Sequence, residues 1–273
     1  MGWSEWEIMP GFEDLKEMIC ERKYRDRGGG VARISFNRPK RMNALTNTGW
    51  NEIIKCLEHI NNQKDIGVVV FTGVGDHFGV GGDVSWEASG EEGEVWAGIA
   101  GDFDAAVLEC SKPVVAAVKG YCIGGHNHLA NDCDFTIAAD SAIMGQNGPR
   151  IGSPMGGHGV TNSAFSMGMK RAKEMWMLCR RYTAQEAYRM GMVNTVVPLD
   201  KLDEEVDRWC DELLDLLPSC LAIVKDSFNA VDAAIFDRSF ESMSKLSDDF
   251  GEQMSEAQMA FFEKRKPNFW KKE

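Results

Sequence analysis

The chain has 273 residues, of which 44% are hydrophobic and 26% charged, so it can bury a large core without disulfides. Its formal net charge of −12 argues against broad electrostatic binding of nucleic acid or of an anionic membrane surface. No apolar run is long enough to span a membrane, and the acidic start lacks a signal-peptide core, so we expect a cytoplasmic protein. The eight cysteines form no C-x-x-C pair, which favours free thiols over a zinc site or a thiol nucleophile.

Strands and helices alternate through the first two thirds of the chain. Apolar periodicity predicts strands at 31–36, 66–73, 112–120, 135–140 and 141–146, and helices at 49–61 and 94–110. The run IGVVVFTG at 66–73 is typical of a strand that is buried on both faces. From about residue 170 the pattern is helical, apart from a short strand or turn at 192–198. This order predicts an α/β fold with a helical C-terminal segment.

Two segments place adjacent glycines directly after a buried strand. They are VVVFTGVGDHFGVGGD at 68–83 and VVAAVKGYCIGGHNH at 114–128. Glycine allows close backbone approach to a ligand, so two such loops could aim two N–H groups at one oxyanion. A helix that begins after the second glycine pair would add its positive dipole end. Each loop taken alone is better explained as a plain tight turn, and the GVGGD stretch lacks the G-x-G-x-x-G dinucleotide motif.

The five histidines are concentrated in candidate site loops. His126 and His128 follow the second glycine pair, and His158 lies in a third polar, glycine-rich segment, GQNGPRIGSPMGGHG at 145–159. Each is either a general acid or base, since histidine titrates near neutral pH, or a structural residue. A metal site at His126 and His128 is disfavoured, because residues two apart do not share a helix face.

Four motifs carry a resemblance to a known family: FNRPKRMNAL, FGVGGD, KPVVAAVKGYCIGGHNHLANDCDFTIAA and GQNGPRIGSPMGGHG. Together they resemble the enoyl-CoA hydratase/isomerase (crotonase) superfamily, from about residue 25 to the C-terminus. Later stretches are similar to the branch that holds 1,4-dihydroxy-2-naphthoyl-CoA synthase and 2-ketocyclohexanecarboxyl-CoA hydrolase. The resemblance implies a crotonase-like ββα spiral core at 25–200, after an N-terminal extension at 1–24. It also implies a C-terminal helical oligomerisation segment at 201–273 that builds a trimer, or a hexamer as a dimer of trimers.

The resemblance also implies an acyl-CoA thioester substrate and a set of site residues. The N–H groups of Gly82 and Gly125 would form the oxyanion hole, and the Val80 carbonyl would contact the adenine. Other positions expected along the substrate are Lys40, Arg41, Met42, Ala44, Gly81, Asp83, Lys264 and Lys266. Of these, Asp83 is expected mainly to hold its loop through backbone hydrogen bonds.

The acid and base positions depart from those of a hydratase, which uses two glutamates. His128 stands at the first position and Gly148 at the second, so simple hydration is disfavoured. In the resembling branch a glycine at this second position, with Gln146 beside it, leaves room for a bicarbonate, and Ser153 matches a site serine. Three further branch positions differ, and they hold Met155, His158 and Asp249 here.

These residues predict ring-opening hydrolysis of a cyclic β-oxoacyl-CoA through a thioester enolate. His128 and His158 would share the general base and acid roles, with Ser153 or Asp249 orienting water. The alternatives are a naphthoate-synthase-like Claisen condensation, enoyl-CoA hydration and an acyl-CoA-binding scaffold without activity. No metal and no cofactor are expected, apart from the coenzyme A of the substrate.

Overall fold

The computed structural model describes residues 2–89, 103–153, 158–240 and 250–270, with backbone alone at residue 158 and at 232–240. The strands are β1 (Glu7–Ile8), β2 (Met18–Tyr24), β3 (Gly30–Phe36), β4 (Ile66–Gly73), β5 (Val114–Val118), β6 (Tyr121–Ile123), β7 (Phe135–Ala139), β8 (Ile143–Gly145), β9 (Arg181–Thr183) and β10 (Thr195–Val197). The helices are α1 (Asn47–Asn61), α2 (Val84–Glu87), α3 (103–108), α4 (Gly125–Asp132), α5 (Gly148–Ile151), α6 (His158–Met167), α7 (Met169–Leu178), α8 (Ala184–Met190), α9 (Leu202–Leu213), α10 (Pro218–Phe240) and α11 (Phe250–Phe262). Short 3-10 turns lie at Pro39–Arg41 and Leu199–Lys201.

The strands form two sheets. A seven-stranded sheet has the order β1-β2-β3-β4-β5-β7-β10. The neighbouring strands from β3 to β10 pair in parallel, whereas β1 with β2 and β2 with β3 pair antiparallel. A three-stranded sheet has the order β6-β8-β9. The α/β class predicted from the alternation is therefore confirmed. No described helix is both long and apolar enough to cross a bilayer.

Strand β4 shows why its sequence is continuously apolar. Successive side chains of a strand point to opposite faces, and here both faces are covered. Val68 and Val70 pack in the core that α9 closes, whereas Val69 and Phe71 pack in the core that α1 closes. The large sheet is thus sandwiched between helices, and the loops at the carboxyl ends of its parallel strands are free to build a site.

Several strands were not predicted. The main one is β2, which lies within the first 24 residues and pairs antiparallel with β3 along its whole length. Its charged residues interrupt the alternating hydropathy that would predict a strand, but in the fold these residues pair with opposite charges. Lys23 is buried, donates to Asp207 at 2.6 Å and lies over the rings of Trp3 and Trp6. The strands β6 and β9 are each only three residues long, too short for a periodic signal.

Candidate active site

A pocket lies between the two glycine turns and the helices that flank them. Its walls combine glycine backbone with aromatic rings and a few ionisable groups. The lining residues are Asn47, Trp50, Val80, Gly81, Gly82, Glu87, Phe103, Asp104, Gly124, Gly125, His128, Gln146, Asn147, Gly148, Ile151, Ser153 and Trp176. This combination of apolar walls and few polar groups is typical of small-molecule sites.

The first glycine turn is held by an isolated bridge to residue 45. The Leu45 N–H donates to the Gly81 carbonyl at 2.9 Å, and the Asp83 N–H donates to the Leu45 carbonyl at 2.8 Å. The peptide between Gly81 and Gly82 is trans, so the Gly82 N–H points opposite to the Gly81 carbonyl and away from Leu45. Gly81 has φ +91°, a conformation that glycine adopts readily.

Asp83 anchors the end of this turn rather than entering the pocket. Its side chain caps α2 by accepting from the Ser85 N–H at 3.1 Å, and it pairs with Arg38 at 3.1 Å. The expectation that Asp83 holds the loop is thus met by its contacts. Asn43 supports the preceding segment, since its side-chain amide donates to the carbonyls of Val74 and His77.

His126 holds the same turn from the other side. The Gly81 N–H donates to its Nδ1 at 2.8 Å, and the fully buried ring packs edge-on against Phe36. Burial lowers the pKa of His126 to about 3, so the ring is neutral and carries its proton on Nε2. A Cβ at Gly79 would lie 2.2 Å from this ring, which explains the glycine there. His126 is therefore a positioning residue, and the general acid or base role considered for it from the sequence does not fit this environment.

Substituting His126 tests this positioning role. His126→Leu leaves the buried Gly81 amide without an acceptor, which should cost about 1–3 kcal/mol of unfolding free energy and displace the turn. His126→Asn places a side-chain oxygen near the position of Nδ1 and should recover part of that loss. The measurement is urea denaturation of the two variants beside the wild type. Equal stability of the Leu and Asn variants would contradict a role for the hydrogen bond.

The second glycine turn meets the first at the start of α4. Gly124 has φ +62°, and its carbonyl accepts from the His128 N–H at 3.0 Å and from Gln146 Nε2 at 3.3 Å. The N–H of Gly125 belongs to the same trans peptide, so it points the opposite way, out of the helix N-terminus. A Cβ added at Gly81 would lie only 2.9 Å from the Gly125 nitrogen, so the two turns are in contact. Gly82 and Gly125 both border the pocket.

His128 lies one helical turn into α4, buried at the side of the pocket. Its Nε2 is 3.2 Å from Asp104 Oδ1 and 3.1 Å from Asp132 Oδ2. Burial by itself would lower the pKa of His128, but the two carboxylates outweigh burial and raise the pKa to about 9. The imidazole is thus protonated at neutral pH, which suits it to be an acid and not the general base that the sequence suggested as one of its roles.

Two ionisable groups of the pocket were not found from the sequence. Asp104 lies on α3, 24 residues before the histidine that it pairs with, and no motif marks it. Glu87 begins the acidic run EASGEEGE, which also matches no motif. Its side chain is half-buried at the pocket, and desolvation, followed by the charge of Asp83, raises the pKa of Glu87 to about 7. Only the tertiary structure brings these carboxyl groups to the site.

The segment 146–153 forms a further wall of the pocket and adjoins the second glycine turn through Gln146. Gln146, Gly148 and Ser153 all line it, as the sequence predicted. The Ser153 N–H donates to the Gly148 carbonyl at 3.1 Å, which makes a tight turn around α5. A Cβ at Gly148 would lie 2.6 Å from the Ser153 carbonyl oxygen, so no side chain fits there unless the backbone moves. A catalytic carboxylate at position 148 is therefore sterically excluded.

Only some of the remaining predicted residues lie at the pocket. Ala44 is buried beside the first turn, and Val80 and Gly81 line the pocket. The exposed side chains in or near turns outside the lining are Lys40, Arg41, Met42, Lys264 and Lys266. Their contact with coenzyme A stays a prediction. Met155, Asp249 and the side chain of His158 lie outside the described residues.

Comparisons with known proteins agree with this fold. Residues 26–272 match the family model "Enoyl-CoA hydratase/isomerase". The chain is 26% identical to an enoyl-CoA hydratase from Mycobacterium avium subsp. paratuberculosis K-10, with a TM-score of 0.78 over 94% of this chain and 100% of that one. It is 29% identical to an enoyl-CoA hydratase/isomerase from Xanthobacter autotrophicus Py2, with a TM-score of 0.77 over 91% and 92%.

A likeness in fold alone extends to a methylmalonyl-CoA decarboxylase in complex with 2-nitronate-propionyl-CoA. It is 24% identical, with a TM-score of 0.77 over 88% of this chain and 94% of that one. The crotonase-like fold implied by the sequence motifs is confirmed. The chain belongs to the enoyl-CoA hydratase/isomerase (crotonase) family of acyl-CoA-processing enzymes.

Proposed function

We propose that this protein hydrolyses a carbon–carbon bond of a cyclic β-oxoacyl-CoA and thereby opens the ring. The observation that carries the proposal is the acid and base set of the pocket. A protonated histidine, His128, stands where a hydratase has a glutamate, and position 148 excludes the second one. Glu87 supplies a carboxylate that titrates near neutral pH. An acid and a base with separated pKa values suit a reaction that activates water and then protonates carbon.

The reaction follows from these groups. Glu87 takes a proton from water, and the oxygen adds to the ketone that lies β to the thioester carbonyl. The bond between the α and β carbons then breaks, and its electron pair passes into the thioester enolate. The N–H groups of Gly82 and Gly125 stabilise the enolate oxygen. His128 donates its proton to the α carbon, and Glu87 returns the proton of water to the imidazole through solvent. The product is an open-chain CoA ester with a new carboxylic acid, which releases its proton to solvent and becomes a carboxylate.

The walls of the pocket favour an alicyclic acyl group. Trp50, Phe103 and Trp176 present aromatic surface, and Ile151 adds an aliphatic side chain. Such surfaces bind a ring by burying its apolar area. Bicarbonate, which the resemblance allows near Gly148, fits poorly there. The carbonyl oxygen of Ser153 occupies the direction of a side chain at position 148 and would repel an anion. We therefore derive no step through bicarbonate.

A labelled-water assay tests the proposed reaction. With 2-ketocyclohexanecarboxyl-CoA in H₂¹⁸O, we expect mass spectrometry to detect the seven-carbon dicarboxylic monothioester with ¹⁸O in its new carboxylate. The matched control is His128→Gln, which should lower the rate by about 10²–10⁴-fold because it cannot donate a proton to carbon.

The same assay separates the alternatives. Hydration of an enoyl-CoA, the activity named for two of the relatives, with no ring opening would overturn the proposal in favour of a hydratase. Ring closure of a dicarboxyl-CoA substrate without hydrolysis would favour a Claisen condensation. A thermal-shift titration with coenzyme A and acetoacetyl-CoA covers the remaining alternative, since binding without turnover of any of these esters would favour a scaffold.

We also propose that the C-terminal helices form the subunit contacts of a trimer or hexamer. Large apolar side chains are exposed on and around α10. They are Leu216, Leu217, Ile223, Val224, Phe228 and Val231. Apolar area of this kind is commonly covered by a partner chain. Analytical ultracentrifugation gives the oligomeric state directly.

A further inference from the structure

Two aspartates contact one histidine at the edge of the pocket. His128 Nε2 lies within 3.2 Å of a carboxylate oxygen from Asp104 and from Asp132. The exposed fractions of the three side chains are 2% for His128, 7% for Asp104 and 0% for Asp132, so the whole cluster is withdrawn from bulk water. Asp104 and His128 border the pocket, while Asp132 lies behind them. We call these three residues the histidine clamp.

The imidazole has little freedom to leave the clamp. A Cβ at Gly159 of α6 would lie 1.8 Å from Nε2, so the backbone of that helix packs directly on the ring. The rings of Phe103 and Trp176 meet the imidazole edge-on from α3 and α7. The position of Nε2 relative to the pocket is therefore set by packing from three helices in addition to α4.

The charges that face the imidazole are all negative. Asp104 comes from α3 and Asp132 from α4, and Glu87 of α2 lines the same pocket. Among the described residues that line the pocket, no lysine or arginine occurs. A buried pair of carboxylates that faced a neutral ring would be unfavourable, because like charges repel strongly in a medium of low polarity. One proton on the ring relieves this repulsion.

We propose that Asp104 and Asp132 are positioning residues that keep the His128 imidazole protonated and fixed at the edge of the pocket, so that it can act as the proton donor to the substrate's α carbon. This role rests on the proposed ring-opening reaction, in which the enolate carbon needs a proton donor. Transfer breaks one N–H bond of the imidazolium and forms the C–H bond, which leaves a neutral imidazole beside two carboxylates. That arrangement favours uptake of a new proton from solvent and so resets the site for the next turnover.

An NMR titration of the substrate-free protein tests the clamp independently of any reaction. The imidazole signals of His128 are assigned by comparison with His128→Gln. In the wild type we expect the ring to titrate well above pH 7. In Asp104→Asn it should titrate at least one pH unit lower, and Asp104→Glu should restore most of that difference. Asp134→Asn is the matched control, because Asp134 pairs with Lys225 and not with the histidine. It should lower the melting temperature without moving the titration of His128.

The kinetic readout is the alkaline limb of the pH profile of kcat/KM, which reports the pKa values of the free enzyme. In Asp104→Asn this limb should move to lower pH by the same interval as the NMR titration. A His128 that titrates below pH 7 in the wild type, or is unmoved in Asp104→Asn, overturns the clamp. A stoichiometric divalent metal bound by the three residues, whose removal by a chelator abolishes activity, also overturns it. If the titrations follow expectation but no ring-opened product forms, the clamp stands and the proposed function fails.

Discussion

Replacing Gly125 by proline should lower kcat by about 10²–10³-fold, which is the usual effect of removing one oxyanion-hole donor. Proline has no N–H, so the substitution deletes the amide proposed to hold the thioester oxygen. Gly125 is the first residue of α4, a helical position that accommodates proline because the N–H there has no intrahelical acceptor. The helix should therefore survive while the donor is lost.

Gly125→Ala is the matched control for this experiment. Both substitutions add a Cβ that meets the ring of Trp50 at about 3.0 Å, so they share that steric cost, but alanine keeps the N–H. Proline also places its Cδ where the amide hydrogen stood, so steady-state kinetics of the two variants measure the loss of the N–H donor together with that added bulk. Circular dichroism checks that both variants are folded. Equal kcat values in the proline and alanine variants would show that the Gly125 amide does not stabilise the oxyanion.

Replacing Glu87 by glutamine should lower kcat by about 10²–10⁴-fold, the range for loss of a general base. The wild-type kcat/KM should rise as the pH passes through about 7, where Glu87 loses its proton, and fall above about 9, where His128 loses its own. The glutamine variant should lack the acidic limb because the amide does not titrate. Glu58→Gln, which changes an exposed carboxylate on α1, should leave the rate and profile unchanged.

The pH dependence of the stability of Glu87→Gln tests the raised pKa of Glu87 independently of catalysis. The pKa of Glu87 rises from 4.5 to about 7 on folding, so the folded state binds more protons than the unfolded state between these values. Stability contributed by the protonated group is therefore lost as the pH rises from 4.5 through 7. Glutamine removes this dependence, so the melting temperature of Glu87→Gln relative to the wild type should increase across that interval. A constant difference would mean that the carboxyl group is not desolvated.

The elements with strong local signals could be predicted from the sequence. The strand at 66–73 was predicted with its observed bounds, because a β-branched run between two turns is typical of a strand that is buried on both faces. The glycine pairs and the residues at 146–153 were also found, since close backbone approach requires glycine wherever it occurs. The strand β2 was missed because its charged residues interrupt the apolar pattern. Its lysine is buried next to Asp207, a residue 184 positions away along the chain that the local sequence does not reveal.

What the sequence by itself determined is the fold family and the glycine turns, with His128 and Gly148 among the candidate site residues. Only the tertiary structure decided what the ionisable groups do. His126 and His128 are two residues apart on one helix, yet burial lowers the pKa of the first and two carboxylates raise the pKa of the second. The reason is physical. A protonation state depends on desolvation and on charges within a few ångströms. Those charges belong to residues from distant segments of the chain that carry no motif.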